Sequence, residues 1–264
     1  MNIENYSKNG YIILKKAISK ELIYTFQNEI LKKLYKKNKV KNSYKNFTNF
    51  LKKIKNKEFF NILNPINNHL FNNNFITKIL LQKKILECHT TLLGRDLAMS
   101  AESSLTINLF DNKQNYYFKD WHQEIWSGSS ISNVQIWMPI FYKSKLDGQI
   151  GFIKNSHKWG HIPHSNRKPL KLPNDFSIIK NNLNIGDVVI FSPTLLHKTI
   201  PSKYPRLGLS TSIKNFKYND YSFSDNINWK IYSYSEITKI QRILGNHYLS
   251  PFRVTDDKHK IEIN

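Results

Sequence analysis

Lys119–Ile140, KDWHQEIWSGSSISNVQIWMPI, is the stretch on which the reading of this chain turns, and within it the triplet His122-Gln123-Glu124. Successive side chains of an extended segment point to opposite faces, so His122 and Glu124 are expected on the same one. An imidazole and a carboxylate side by side are two of the three donors of a two-His-one-carboxylate set. That set suits non-haem Fe(II) with coordination positions left open. The third donor is expected from a distant His. His197 is the best placed, because Asp187-Val188-Val189-Ile190-Phe191 reads as a strand feeding into it. The triplet alone is weak evidence, since such triplets also arise by chance as surface or hydrogen-bonded histidines.

The residues after His197 add weight. Thr199 lies two residues on, on the same face if the segment is extended, and Arg206 heads Leu207-Gly208-Leu209-Ser210-Thr211-Ser212. A guanidinium on a strand grips a carboxylate bidentately, and a nearby hydroxyl completes that grip. Arginine is scarce here: Arg95, Arg167, Arg206, Arg242 and Arg253 are the only ones among 40 basic residues. A competing metal set, His157, His161 and His164 in SHKWGHIPH, has no carboxylate or Cys beside it, and Pro163 interrupts any helix. That segment reads as a loop over the mouth of a site rather than as a zinc centre.

The HxE…H…R order, the segment Gly148–Gly160 (GQIGFIKNSHKWG) and the opening Asn9–Leu14 (NGYIIL) together resemble the phytanoyl-CoA dioxygenase family from about Asn9 to about Ile213. The resemblance implies an Fe(II)- and 2-oxoglutarate-dependent dioxygenase on a double-stranded β-helix, a jelly-roll or cupin-like barrel. It implies His122, Glu124 and His197 as iron ligands, with Thr199 and Arg206 holding the far carboxylate of 2-oxoglutarate. Two departures stand out. Glu124 replaces the family's usual Asp, adding one methylene, and Arg206 lies a residue or two closer to the His, which shortens the turn Ile200–Pro205. Retention of a carboxylate at Glu124 favours hydroxylation over halogenation. The implied partners are O2 and a small molecule such as a sugar, acyl or amino-acid derivative, the product side being succinate and CO2. The alternatives are a non-catalytic barrel that only binds, and an oxygenase directed at nucleic acid. A sugar-binding or isomerase-type cupin is expected to carry extra His ligands and no Arg after the last.

The rest of the chain fits one domain over residues 1–264: helical support mainly in 19–90, a barrel core over about 98–215 and an extension over 216–264. Hydrophobic content of 40% and aromatic content of 13% suffice for a core at 264 residues. The formal charge of +21 invites a nucleic-acid reading. Its carriers are Lys rather than Arg, mixed with Asn and Ile along the length, which reads as compositional; no specific nucleic acid is expected, though an anionic molecule would be drawn to such a surface. A lone Cys88 excludes a disulfide framework and fits a reducing cytoplasm. The N-terminus lacks a signal-peptide pattern and no apolar run reaches membrane-spanning length, so a soluble cytoplasmic protein is expected.

Local patterns complete the picture. Gly10–Ala17 predicts a first strand. Ser19 predicts a cap for a helix with Leu22, Ile23, Phe26, Ile30, Leu31 and Leu34 inward. Phe47, Phe50, Leu51 and Ile54 predict a second helix, Asn64-Pro65 a loop, and Phe75–Cys88 a third helix. Strands are expected at Ser104–Phe110, Val134–Pro139, Ile150–Lys154, Asp187–Phe191 and Leu207–Ile213, and a helix at Ser235–Leu244. On Ser104–Phe110 one face carries Thr106, Asn108 and Phe110, and Asn108 or Thr106 can reach the cosubstrate if that face looks inward. Gln135 shares a face with Trp137, needs a partner if buried, and is grouped with the same cosubstrate-binding set.

Overall fold

The structure, a computed structural model, describes residues 3–53, 59–101, 103–108, 120–144, 150–166, 168–200, 204–217 and 229–245. Ile54, Leu109, Phe110, Gly148, Gln149, Arg167 and the end of the extension lie outside them.

A short helix α1 (Ile3–Asn9) leads into strand β1 (Tyr11–Leu14). Helix α2 (Lys20–Tyr35) begins where predicted, the Ser19 hydroxyl accepting from Leu22 N at 3.2 Å, a cap worth about 1 kcal/mol. Ile23, Phe26, Ile30, Leu31 and Leu34 are its buried stripe. Helix α3 (Tyr44–Leu51) buries Phe47 and Leu51. Two expectations fail in the next stretch. Pro65 does not mark a loop: helix α4 (Phe59–Asn72) runs through it. A mid-helix proline costs about 3 kcal/mol, and burial of Leu63, Ile66 and Leu70 on one stripe offsets that loss. Nor is Phe75–Cys88 one helix. It is α5 (Phe75–Leu80) and α6 (Lys83–Leu93), broken at the extended residue Gln82. At 100° per residue, Ile85 would point opposite to Ile76 in a continuous helix. The break resets the phase, so that Ile76, Ile79, Leu80, Ile85 and Cys88 all reach one core.

The strands form two main antiparallel sheets. The larger contains β2 (Leu97–Ser100), β3 (Ser104–Asn108), β4 (Val134–Phe141), β9 (Val188–Phe191), β11 (Arg206–Asn215) and β12 (Trp229–Ser233), in the order β1-β9-β4-β11-β2-β12 with β3 also on β11. The smaller is β10 (His197–Thr199), β5 (Ile150–Ile153) and β8 (Ile178–Asn181), in that order. A hairpin of β6 (His164–Ser165) and β7 (Lys168–Pro169) stands apart, and α7 (Glu236–Gly245) follows β12. Strand β12 has no counterpart among the expected strands.

All eight residues of β4 are buried, because it is covered on both faces. Ile136, Met138 and Ile140 join Val188, Ile190, Leu207 and Leu209 in a core shared with the helices. Trp137, Val189 and Phe191 join Ile150 and Phe152 in a second core between the sheets. There the Tyr11 and Phe152 rings lie 4.8 Å apart. In place of the expected closed barrel stand two antiparallel sheets packed face to face with helices on one side. Among the described residues the ladders do not close: a single isolated bridge, His122 to His197, joins HxE to the small sheet. Closure needs an unbroken ladder around both edges; here the sheets meet mainly through side chains. No helix among the described residues is long and apolar enough to cross a membrane.

Candidate functional site

His122, Glu124 and His197 converge. One ligand atom from each lies within 4.8 Å of the others, His197 Nε2 being 3.1 Å and His122 Nε2 3.5 Å from Glu124 Oε1. The local geometry differs from the predicted strand. His122 is a bridge residue, Gln123 is extended, and Glu124 opens a 3-10 turn, Glu124–Ser127, ended by the left-handed Gly128. One extended residue is enough to set the two side chains on the same side. The backbones are locked as well: His122 N donates to His197 O, His197 N to His122 O, both at 3.0 Å, and Glu124 N to Pro193 O at 2.9 Å.

The imidazoles are oriented by their own backbones. His122 Nδ1 lies 2.7 Å from Asp120 O and His197 Nδ1 2.9 Å from Leu195 O. A carbonyl only accepts, so each Nδ1 carries the proton and, in the neutral ring, each Nε2 presents its lone pair toward Glu124. Three acceptors gathered this closely repel one another unless a cation or proton lies between them. Two imidazoles and one carboxylate, arranged to one side, fit Fe(II).

The cavity beside this cluster is lined also by Thr106, Trp137, Thr199, Arg206 and Ser210. Thr199 follows His197 by two residues on β10, and both line the cavity, as does Lys198 between them. Arg206 opens β11 and is 1% exposed. Burial pulls its pKa down to about 9, which still leaves the guanidinium cationic at neutral pH. It lies over the Trp137 ring at 4.5 Å, and Trp137 Nε1 donates to Thr106 Oγ1 at 3.3 Å. Gly208 makes room for that indole, since a Cβ there would come within 2.7 Å of it.

Two members of the expected cosubstrate set are placed differently. Asn108 is buried opposite Arg206 in register, but Thr106 rather than Asn108 lines the cavity. Gln135 has its partners elsewhere: its Nε2 donates to Ser129 Oγ at 3.0 Å and Ser212 Oγ at 2.7 Å, and its Oε1 accepts from Ser212 Oγ at 3.0 Å. A residue four on from Arg206 along a strand shares its face, and that spacing could have identified Ser210. No periodicity foretells Trp137 folding across Gly208.

The other candidates fall outside the centre. His157 Nε2 donates to Ser7 O at 2.9 Å, His164 stacks on Trp126 with centroids 4.5 Å apart, and among the described residues these histidines form no metal cluster. The fully buried Gln123 ties their loop to the centre, donating to Gly160 O at 2.8 Å and Thr194 O at 2.6 Å and accepting from Ile162 N at 2.9 Å. Burial pushes the Cys88 thiol up to about 12, so it supplies no thiolate.

Facing antiparallel sheets, flanking helices and a His-Glu-His centre define the class as a non-haem metalloprotein of cupin-like fold. The chain belongs to the phytanoyl-CoA dioxygenase (PhyH) family, which matches residues 6–207. Among solved structures it is similar to ThoJ, a non-haem monooxygenase, in its apo form, with TM-score 0.62 and 13% identity over 88% of this chain and 84% of that one. It is also similar to SnoN, a non-haem alpha-ketoglutarate-dependent epimerase from nogalamycin biosynthesis, with TM-score 0.50 and 11% identity over 80% and 81% of the two chains. At such identities these likenesses speak to the fold. No curated protein matches the sequence.

Proposed function

We propose that this protein is a 2-oxoglutarate-dependent Fe(II) oxygenase of a double-stranded β-helix type that hydroxylates an unactivated carbon of a small molecule. The observation that carries the reading is the convergence of His122, Glu124 and His197 within 4.8 Å beside a buried Arg206. Membership of the PhyH family supports it.

In this reading His122 Nε2, His197 Nε2 and a Glu124 oxygen would hold the iron, which when bound supplies activation of O2 coupled to conversion of 2-oxoglutarate to succinate and CO2. The chain's own residues bind, orient and keep out water. Arg206 and Thr199 take the distal carboxylate of 2-oxoglutarate, the guanidinium supplying charge and a two-pronged donor geometry, the hydroxyl one further donor. Trp137 holds the guanidinium from one side. Asp120 O and Leu195 O fix the imidazole tautomers and ring orientations, which raises ligand basicity. Phe191 and Ile150 wall the cavity and lower its dielectric. Glu124 fills the carboxylate position, leaving no vacancy there for a halide, so the proposed outcome is an alcohol.

The test is an anaerobic titration with Fe(II) and 2-oxoglutarate, followed by the visible absorption of the chelate, with succinate assayed after air is admitted. Wild-type protein is expected to show both. Glu124→Ala is expected to bind Fe(II) far more weakly and form no succinate; unchanged iron content with full succinate in that variant would remove the triad from the mechanism.

A further inference from the structure

Neither Asn9-Gly10 nor the segment Asn155–Gly160 (NSHKWG) is among the described residues that line the cavity, yet the two meet. His157 Nε2 donates to Ser7 O at 2.9 Å, and a Cβ on Gly10 would come within 2.5 Å of the imidazole. Gly10 also has φ +77°, a conformation suited to glycine. What this contact anchors is the loop between β9 and β10. Ser192 N donates to Gly10 O at 2.8 Å, and Thr194 Oγ1 donates to His157 O at 3.2 Å.

That loop, residues 192–196, is the seat of the candidate metal centre. Three successive carbonyls on it accept from the ligand segments. Pro193 O accepts from Glu124 N at 2.9 Å, Thr194 O from Gln123 Nε2 at 2.6 Å, and Leu195 O from His197 Nδ1 at 2.9 Å. The course of the Glu124 backbone and the tautomer of His197 thus both depend on how this loop is bent. Residues 192–196 belong to no helix or strand, so no regular ladder fixes the bend. One turn bond, Leu195 N to Ser192 O at 3.0 Å, is the internal backbone support.

Hydroxyls supply the rest. The proton of Thr194 Oγ1 goes to His157 O, so in the 2.8 Å contact between Ser192 Oγ and Thr194 Oγ1 it is Ser192 that donates. Ser192 Oγ in turn accepts from Thr194 N at 3.3 Å. The far end is pinned by the buried Ser156, whose Oγ accepts from Leu196 N and donates to Ile153 O, both at 2.9 Å. Thr194 is the member that couples the loop's own turn to the His157 anchor. It lies between the two residues whose carbonyls hold Glu124 and His197.

We propose that Thr194 is a positioning residue for the metal centre: its hydroxyl, anchored on His157, sets the carbonyls that aim Glu124 and His197 at a common point. This rests on reading His122, Glu124 and His197 as ligands of a divalent metal. A bond that only held the loop would act on stability alone, whereas a positioning bond also governs how the metal is held. Outer partners of metal ligands are typically worth about ten- to a hundredfold in affinity. Thr194 acts one bond further out, so the lower end of that range is expected.

The test is a titration of the full chain with Co(II), whose visible bands report ligand geometry, with the unfolding midpoint of the metal-free protein measured alongside. Thr194→Val deletes the hydroxyl and is expected to weaken Co(II) binding about tenfold and to shift the bands. Thr194→Ser keeps a hydroxyl and is expected to bring both back toward wild type. The comparison variant, Thr211→Val, deletes a buried hydroxyl that accepts from Ser103 Oγ at 2.7 Å and does not line the cavity. It is expected to lower the unfolding midpoint with Co(II) affinity unchanged. Equal Co(II) affinity in wild type and Thr194→Val, equal loss in Thr194→Val and Thr211→Val, or no recovery in Thr194→Ser each overturns the role of Thr194 and leaves the ligand set standing. No Co(II) binding by wild type overturns both.

Discussion

The two faces of β4 and β11 are built from alternate residues of the same strands and obey opposite rules. Toward the helices stand Ile136, Met138, Ile140, Leu207 and Leu209, whose only requirement is shape. Toward the small sheet stand Gln135, Trp137, Arg206, Gly208 and Ser210, where each group needs a partner or room: Gln135 has its serines, Trp137 has Thr106, and Gly208 yields space to the indole. One face is replaceable in kind and costly in volume. The other is tolerant of little because its groups are chemical. The expectation is that damage to the first appears in stability and damage to the second in ligand binding.

Leu209→Ala gives the largest expected break. Leu209 is fully buried, and such truncations cost about 2–5 kcal/mol through lost transfer energy and the cavity left behind. Denaturant unfolding should show that loss, while the surviving folded protein keeps its affinity for 2-oxoglutarate. If affinity fell in step with stability, the two faces would not be separable.

Arg206→Ala is next. Removing one partner of a charge pair in a buried pocket costs about 2–5 kcal/mol, and tenfold corresponds to 1.4 kcal/mol. The apparent Michaelis constant for 2-oxoglutarate should therefore rise about tenfold or more, with Fe(II) affinity nearly unchanged. Arg206→Lys should lose less, keeping the charge without the fork. Equal 2-oxoglutarate affinity in wild type and Arg206→Ala would take the residue out of the site.

Gly208→Ala sharpens the comparison, since it lies on the chemical face yet acts by volume. Its new methyl would meet the Trp137 ring at 2.7 Å, and that ring is held between Thr106 and Arg206. Overpacking costs about 1–3 kcal/mol. Both stability and 2-oxoglutarate affinity should drop, with Trp137 fluorescence altered; a silent substitution would show that the indole moves freely.

The chemical face was more legible in the sequence than its setting. His122, Glu124 and His197 could be picked out because ligation demands particular residue types, and Arg206 because arginine is rare here. The helix-covered face was legible where a single period ran unbroken, as from Ser19 through Leu34. It was illegible where tertiary packing overrode local signals. Pro65 stays helical because Leu63, Ile66 and Leu70 are buried on either side of it, and α5 parts from α6 because Ile76 and Ile85 cannot face the same core on one continuous helix. The ties of Gln123 to Gly160, Ile162 and Thr194 join residues 37 to 71 positions apart, beyond the reach of any local pattern. Strand β12 pairs with β2, and the run Trp229-Lys230-Ile231-Tyr232, rich in strand formers, is a local signal that could have announced it.

His89 tests the comparison from the helix-covered side, as an ionisable group among apolar ones. It is fully buried on α6, its Nδ1 is 3.0 Å from Tyr232 Oη, and burial pulls its pKa down to about 3. An unfolded-state histidine titrates near 6.5. Between those values the unfolded chain takes up a proton that the folded one refuses. This contribution is therefore intact above about pH 6.5 and is lost progressively as pH falls toward 3. The slope is at most one proton, about 1.4 kcal/mol per pH unit, so at pH 5.5 the loss from this residue is at most about that size. His89→Gln retains an acceptor for Tyr232 and cannot charge, so its unfolding midpoint should fall less between pH 7 and 5.5 than that of wild type, even if it starts lower at pH 7. Parallel acid limbs in the two proteins would mean that His89 is protonated in the folded state, and that the helix-covered face accommodates charge as the other one does.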